Sequence, residues 1–342
     1  MKRILYFLFI CVCFLSFGCA RRASEPETDK KTITVAVPAA EKEIISKYLN
    51  MYKHQSDVDF KIIDVSGDDE DIHRFYVSTC MDNKFNVDVY LMEDKWVSEF
   101  AAQGYIDEIS LIQHEFIPSV REAITYKDKT YAMPWYADVF TQFTKRGSGF
   151  DNQIYIGDGA EDYVLGVYSL WGKSKNLLAA VDEYEKSEKI NNAGDFLGGN
   201  YSRAKGWLGQ YNIMKEQNIV KASDVSIGID ENALLKTKVL AIRKGTKYKK
   251  EAQEVFELFL TDSCQKSLMT DIIAVPVLKS FYERDDLYDI TPHILKISGM
   301  NFTRLKADEQ YNADIKALGM IINQEAADTA KKAEIIGRLI NE

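Results

Sequence analysis

Residues 32–104 restrict the fold more than any other part of the chain. Thr32-Ile33-Thr34-Val35-Ala36-Val37 alternates and is β-branched, which predicts a strand. Glu41 to His54 carries Ile44, Ile45, Tyr48, Leu49 and Tyr52 at helical spacing. Val58 to Val65 is a second strand, and Asp68-Asp69-Glu70-Asp71 opens a helix that runs to about Met81. Carboxylates in a first helical turn complement the helix dipole, so this acidic run does not by itself point to calcium. Val87 to Met92 is a third strand, and Trp96 to Gln103 a helix stopped by Gly104. Strand and helix in strict alternation predict an α/β lobe with a mostly parallel sheet flanked by helices. At 342 residues the chain exceeds one small core and suits two lobes.

Later segments are less regular. Glu161 to Trp171 and Asn176 to Lys186 read as helices, Asn191 to Gly206 as loop, and Gly206 to Glu216 again as helix. Val239 to Ile242 reads as a strand, Lys249 to Leu260 as an amphipathic helix, and the chain from about Asp308 as helical.

The N-terminus predicts where the protein works. Lys2 and Arg3 precede the apolar run Ile4 to Phe17, and Ser16-Phe17-Gly18-Cys19 then gives way to charged sequence. This is the form of a secretory signal peptide. Its end resembles a bacterial lipoprotein box, in which the cysteine takes the lipid. The run is shorter than the ~20 apolar residues of a membrane span. The expectation is a signal over 1–18, lipidation at Cys19, a flexible tether over 19–31, and a chain held outside the cytoplasm at a membrane.

Charge and motif content narrow the chemistry. A formal net charge of −9 opposes nucleic-acid binding, which needs a basic face. Cys11 and Cys13 leave with the signal, so Cys80 and Cys264 remain, expected as buried free thiols with a disulfide possible in an exported chain. The four histidines show no ligand spacing, and no metal or cofactor is expected. Gly166 to Ser174 departs from the phosphate-loop spacing, and no strand feeds it. No nucleophile elbow or zinc motif occurs, so an enzyme is not expected, although the many carboxylates leave a glycosidase pair open.

Lys129-Thr130-Tyr131-Ala132-Met133-Pro134-Trp135-Tyr136-Ala137-Asp138 carries the most information. Rings stack on sugar faces and carboxylates accept from hydroxyls. Equally, Trp135 and Tyr136 could be core residues at a strand end, and spacing does not decide. The segment resembles the hinge strand of bacterial extracellular solute-binding proteins of sugar ABC importers, the maltose-binding-protein-like group. Three stretches match that group in order: Asn86 to Leu91 with Trp96 and Ala101 to Ile106, then Ala241 to Thr246 with the helix of Lys250 to Leu260, then Ala274 to Ser280.

The resemblance implies a two-lobed, hinged periplasmic-binding-protein fold of type II. Its N-terminal lobe would be residues 32–137 plus 242–303, and its C-terminal lobe 138–241 plus 304–342. It also implies a monomer that passes a small solute, a carbohydrate first of all, to a membrane permease. Residues placed at the cleft on this basis are Trp135, Tyr136 and Asp138 at the first crossover, and Glu93, Asp94 and Trp96 after the third strand. Trp171, Trp207 and Tyr211 would come from the second lobe, and Tyr311 from a late helix. The chain lacks two stretches usual in the second lobe, after Phe143 to Arg146 and before the return strand, so a shortened lobe is expected. A peptide or polyamine ligand, and a surface lipoprotein that has lost transport, stay open as alternatives.

Overall fold

The computed structural model describes residues 31–53, 58–82, 86–111, 113–149, 151–157, 159–230, 232–283, 302–322, 324 and 328–340. The expected signal, Cys19 and nearly all of the tether lie outside the described residues. No helix among those described is long and apolar enough to cross a membrane.

The first lobe follows the alternation read from the sequence. Strand β1 (Lys31–Pro38) leads through a short 3-10 turn into α1 (Lys42–Tyr52), then β2 (Val58–Val65), α2 (Asp69–Met81) and β3 (Val89–Glu93). β1 pairs in parallel with both β2 and β3. Asp68 caps α2 by accepting from the Asp71 N–H at 2.9 Å, which accounts for part of the acidic run. A 3-10 turn (Asp94–Trp96) and α3 (Val97–Ala102) follow β3, and Gly104, at φ +68°, ends that stretch in a conformation suited to glycine. The next elements are α4 (Pro118–Ala123) and the ribbon β4 (Thr125–Tyr126) and β5 (Lys129–Thr130).

Strand β6 (Ala132–Lys145) joins the two halves. Residues 132–139 pair antiparallel with β11 (Leu235–Ile242), which pairs in turn with β3. Residues 140–144 pair with β9 (Arg203–Trp207), and 142–145 with β10 (Val225–Gly228). β7 (Gln153–Ile156) and β8 (Glu188–Ile190) continue the second half in parallel beyond β9. The nine strands thus form one sheet, shared between the lobes through β6. β11 lies in the first lobe's part of it, ahead of the boundary expected after residue 241. A bridge from Leu234 to Thr303 brings the chain into the second lobe once more.

The second lobe also carries α5 (Ala160–Ser174), α6 (Leu177–Lys186), α7 (Ala193–Gly198), α8 (Gln210–Ser223), α11 (Tyr311–Ile322) and α12 (Thr329–Leu339). α9 (Lys249–Phe259) and α10 (Asp262–Asp271) pack on the first lobe. The loop expected over 191–206 instead holds α7 and β9, and α8 starts four residues later than the helix expected from Gly206. β9 is hidden in sequence because its inward residues Ala204 and Gly206 are small, while Lys205 is buried against Asp230 at 2.8 Å.

Between Lys238 and Val239 the β6–β11 register shifts by one residue, a bulge at Trp135 that removes its carbonyl from the ladder. Gln265, fully buried, repairs it. Its Nε2 donates to Trp135 O at 2.8 Å and Phe259 O at 3.1 Å, and its Oε1 accepts from the Val277 N–H at 3.1 Å. Stranding buried backbone groups costs roughly 1–3 kcal/mol each. Gln265→Leu is therefore expected to lower the unfolding free energy by at least about 2 kcal/mol in urea titrations; a loss within error would mean that other groups satisfy the bulge.

Candidate functional site

The parallel strands β1 to β3 end where open α/β sheets place ligands, outside their carboxyl ends. There the sheet exposes a charged face instead of an apolar one. Lys238 lies directly opposite Glu93 on one side and Tyr136 on the other, and Lys236 lies opposite Asp138. Further along, Phe140 is paired with Trp207. Period-two alternation puts Tyr136, Asp138, Lys236, Lys238 and Glu93 on one face of this floor, while Ala137, Val139 and Val239 enter the core behind it.

The walls come from both lobes. Asp94 and Lys95 follow β3, Glu161 stands in the first turn of α5, and Arg304 and Tyr311 come from the returning chain. Lys95 is the junction. Its Nζ contacts Asp69, Glu93 Oε2 at 3.0 Å and Glu161 Oε2 at 2.6 Å. The oxygens of those three carboxylates lie within 4.8 Å of one another, and the ammonium sits among them. Lys238 bridges Glu41 at 2.6 Å and Glu93 at 3.1 Å, and Arg304 lies 3.4 Å from Asp94. The Lys236 ammonium stands 4.1 Å above the Trp207 ring, with Glu93 at 4.0 Å as its nearest ion-pair partner among the described residues. The space left between these side chains takes about one water molecule.

Burial and pairing set the charge states. Burial opposes ionisation of Glu93, but the ammoniums of Lys95, Lys238 and Lys236 overcome it and hold the carboxyl well below its ordinary range. Burial likewise opposes the charge on Lys95, yet Glu161, Glu93 and Asp69 keep its pKa well above the usual lysine value. Asp94 and Asp138 go the other way: burial raises both, against the pull of Arg304 and Lys236 respectively. Asp138 Oδ1 accepts from the Val139 and Gly209 N–H groups at 2.8 and 3.1 Å, which fixes the turn just after Trp207.

Of the residues expected at the cleft, Glu93, Asp94, Tyr136, Asp138, Trp207 and Tyr311 come together here. Of the other four, Trp96 backs the site from the core side, its ring 5.6 Å from the Lys95 ammonium, and three lie elsewhere. Trp135 is fully buried in the first lobe, stacked on Phe259 at 5.6 Å and edge-on to Tyr48. Trp96 packs inward against Tyr76 and His73. Trp171 sits near the opposite end of α5 from Glu161, roughly 15 Å along the helix, under Lys175 and beside Tyr168. Tyr211 packs, half-buried, against the same core cluster that holds Trp135 and donates to Ala222 O at 2.9 Å. Lys95, Glu161, Lys236, Lys238 and Arg304 were not anticipated. The alternation Lys236-Thr237-Lys238 ahead of an apolar strand was the available signal for two of them. Cys80 and Cys264 are not joined in a disulfide; Cys264 is buried as expected, whereas Cys80 is only partly buried.

No protein-family model and no curated protein matches the chain. Solved structures do. The GacH receptor of Streptomyces glaucescens, solved unliganded and with acarbose, superposes with a TM-score of 0.75 at 15% identity, over 92% of this chain and 99% of that one. Maltose-bound MalE3 of T. maritima gives 0.73 at 15% identity, over 91% and 99%. An ABC transporter solute-binding protein of Agrobacterium vitis with bound D-mannitol gives 0.67 at 15% identity, over 90% and 98%. The chain has their fold. It is the two-lobed α/β architecture expected from the sequence.

Glu93 has a depressed pKa, so its contribution to stability is present above its unfolded value of about 4.3 and is lost as pH falls through the folded value. Glu93→Gln leaves Lys95 and Lys238 short of a buried counter-charge. It is expected to cost about 3 kcal/mol at pH 7, with the gap to the parent closing below about pH 4. Thermal unfolding from pH 3 to 7 checks this; a gap independent of pH would place the effect in packing rather than charge.

Proposed function

We propose that this protein is an extracytoplasmic solute-binding protein whose crevice takes a small, neutral, polyhydroxylated solute, a carbohydrate, and presents it to an ABC permease. The observation that carries the reading is the composition of the floor: an aromatic face at Trp207 beside a carboxylate, Asp138, and an ammonium, Lys236, on one sheet shared by both lobes. A pyranose has the matching parts, an apolar face and a rim of hydroxyls that donate and accept. The fold shared with proteins bound to acarbose, maltose and mannitol supports the same class. A polyamine fits less well, because Lys95, Lys238 and Arg304 already neutralise the carboxylates it would need.

In this reading the lobes hinge where the chain crosses between them: within β6, ahead of β11 and at Thr303. A solute touching both lobes favours the closed arrangement by its differential affinity. Cys19 carries the lipid at the head of a tether over 19–31, so a monomer is held near the permease. Tyr136, Asp138, Trp207 and Tyr311 are the proposed contacts, with Glu93 and Asp94 setting the field around them.

A saccharide panel tested by thermal shift decides the matter. A ligand at 100 times its Kd stabilises by about 2.7 kcal/mol, so a true ligand raises Tm by several degrees. Trp207→Ala is expected to weaken that ligand by about tenfold, near 1.4 kcal/mol, whereas Trp171→Ala leaves it unchanged. A response only to peptides or polyamines, or to nothing, overturns the carbohydrate reading.

A further inference from the structure

The two lobes meet through the chain's own side chains. Lys95, from the turn after β3, reaches Glu161 at the start of α5 in the other lobe at 2.6 Å, while Asp69 and Glu93 hold it from its own side. A second seam runs along α11: Asn312 Nδ2 donates to Glu99 Oε2 at 2.5 Å, and Lys316 pairs with Glu70 at 3.0 Å. The two contacts differ in weight. Lys316 and Glu70 are both more than half exposed, and exposed pairs contribute little. The Lys95 side chain is 9% exposed, and breaking a buried pair leaves charges that water cannot reach. At the N-terminus of α5 the Asp162 carboxylate accepts from the Gly159 N–H at 3.3 Å, so Glu161 is not needed there as a cap.

We propose that Lys95 is an interlobe lock: it holds the lobes together through an ion pair internal to the chain, and a solute enters by exchanging against that pair instead of filling an open cleft. The statement about solute rests on the proposed function; the lock itself does not. The crevice volume agrees, because the groups that meet at Lys95 and over Trp207 already occupy the space between the walls. A binding-competent opening then reduces apparent affinity by its fractional population, so the lock would tune how much solute is needed for loading.

Hydrogen exchange read by mass spectrometry on the full chain in detergent micelles, with no solute added, tests the lock. In Lys95→Met, peptides covering 94–102 and 311–322 are expected to exchange at least tenfold faster, while peptides covering β1 and β9, inside each lobe, keep the parent's rates. Glu161→Lys, altered only on the far side of the seam, is expected to show the same pattern by placing two ammoniums face to face. Seam rates equal to the parent's in Glu161→Lys overturn the proposal, whatever Lys95→Met does. General acceleration in Lys95→Met with no seam effect in Glu161→Lys would make Lys95 a fold residue. A positive seam result with a saccharide panel that finds no ligand would keep the lock and remove the solute reading.

Discussion

The structure turns on a carboxylate placed between two ammoniums at the end of a buried strand. Glu93 closes β3, where a sheet interior would ordinarily continue apolar, and Lys238 and Lys95 stand on either side of it. None of the three is tolerable there alone, because desolvating one isolated charge costs several kcal/mol. Together they form a polar face on a sheet whose reverse is a continuous hydrophobic core. The partners that neutralise that face come from both lobes.

β6 makes the enclosure possible. One strand of fourteen residues pairs with β11 in one lobe and runs between β9 and β10 in the other. Its bulge at Trp135 re-aims the strand where it leaves the first core, and the buried Gln265 amide absorbs the hydrogen bond that the bulge displaces. Asp138, three residues on, ties the start of the second half to the turn after Trp207 through two backbone N–H groups. Core, crossover and crevice are thus linked within about four residues of one strand.

The first lobe was legible because its strands are β-branched and its helices amphipathic, so period and burial agree. The second lobe was harder. Its strands are short, and β9 carries a buried lysine and a glycine, which read as loop in the absence of Asp230 across the lobe. The crevice was legible in part for a similar reason. Glu93 and Asp94 follow from the rule for strand ends, but Lys95, Glu161 and Arg304 look like solvent-facing charges when met one at a time. Only their convergence from distant segments gives them a role, and pairwise charge matching over such separations leaves no local trace in a single sequence.

The aromatic pair Trp135-Tyr136 shows what a strand can and cannot offer a ligand. On a regular strand the two side chains point to opposite faces, so both could not line the same wall. The bulge brings the rings to 5.0 Å of each other, yet Trp135 still belongs to the core, fixed by Tyr48 and Phe259. Trp207 differs in what stands over it. Phe140 packs edge-on to its ring at 5.8 Å, but a lysine ammonium stands over the ring, and an ammonium can leave for water at far lower cost than a phenylalanine can leave a core. In the proposed function a stacking platform has to be a ring whose cover is removable; ammoniums also stand over Trp96 and Trp171, but Trp96 packs into the first core and Trp171 lies far along α5, which leaves Trp207 as the ring to test.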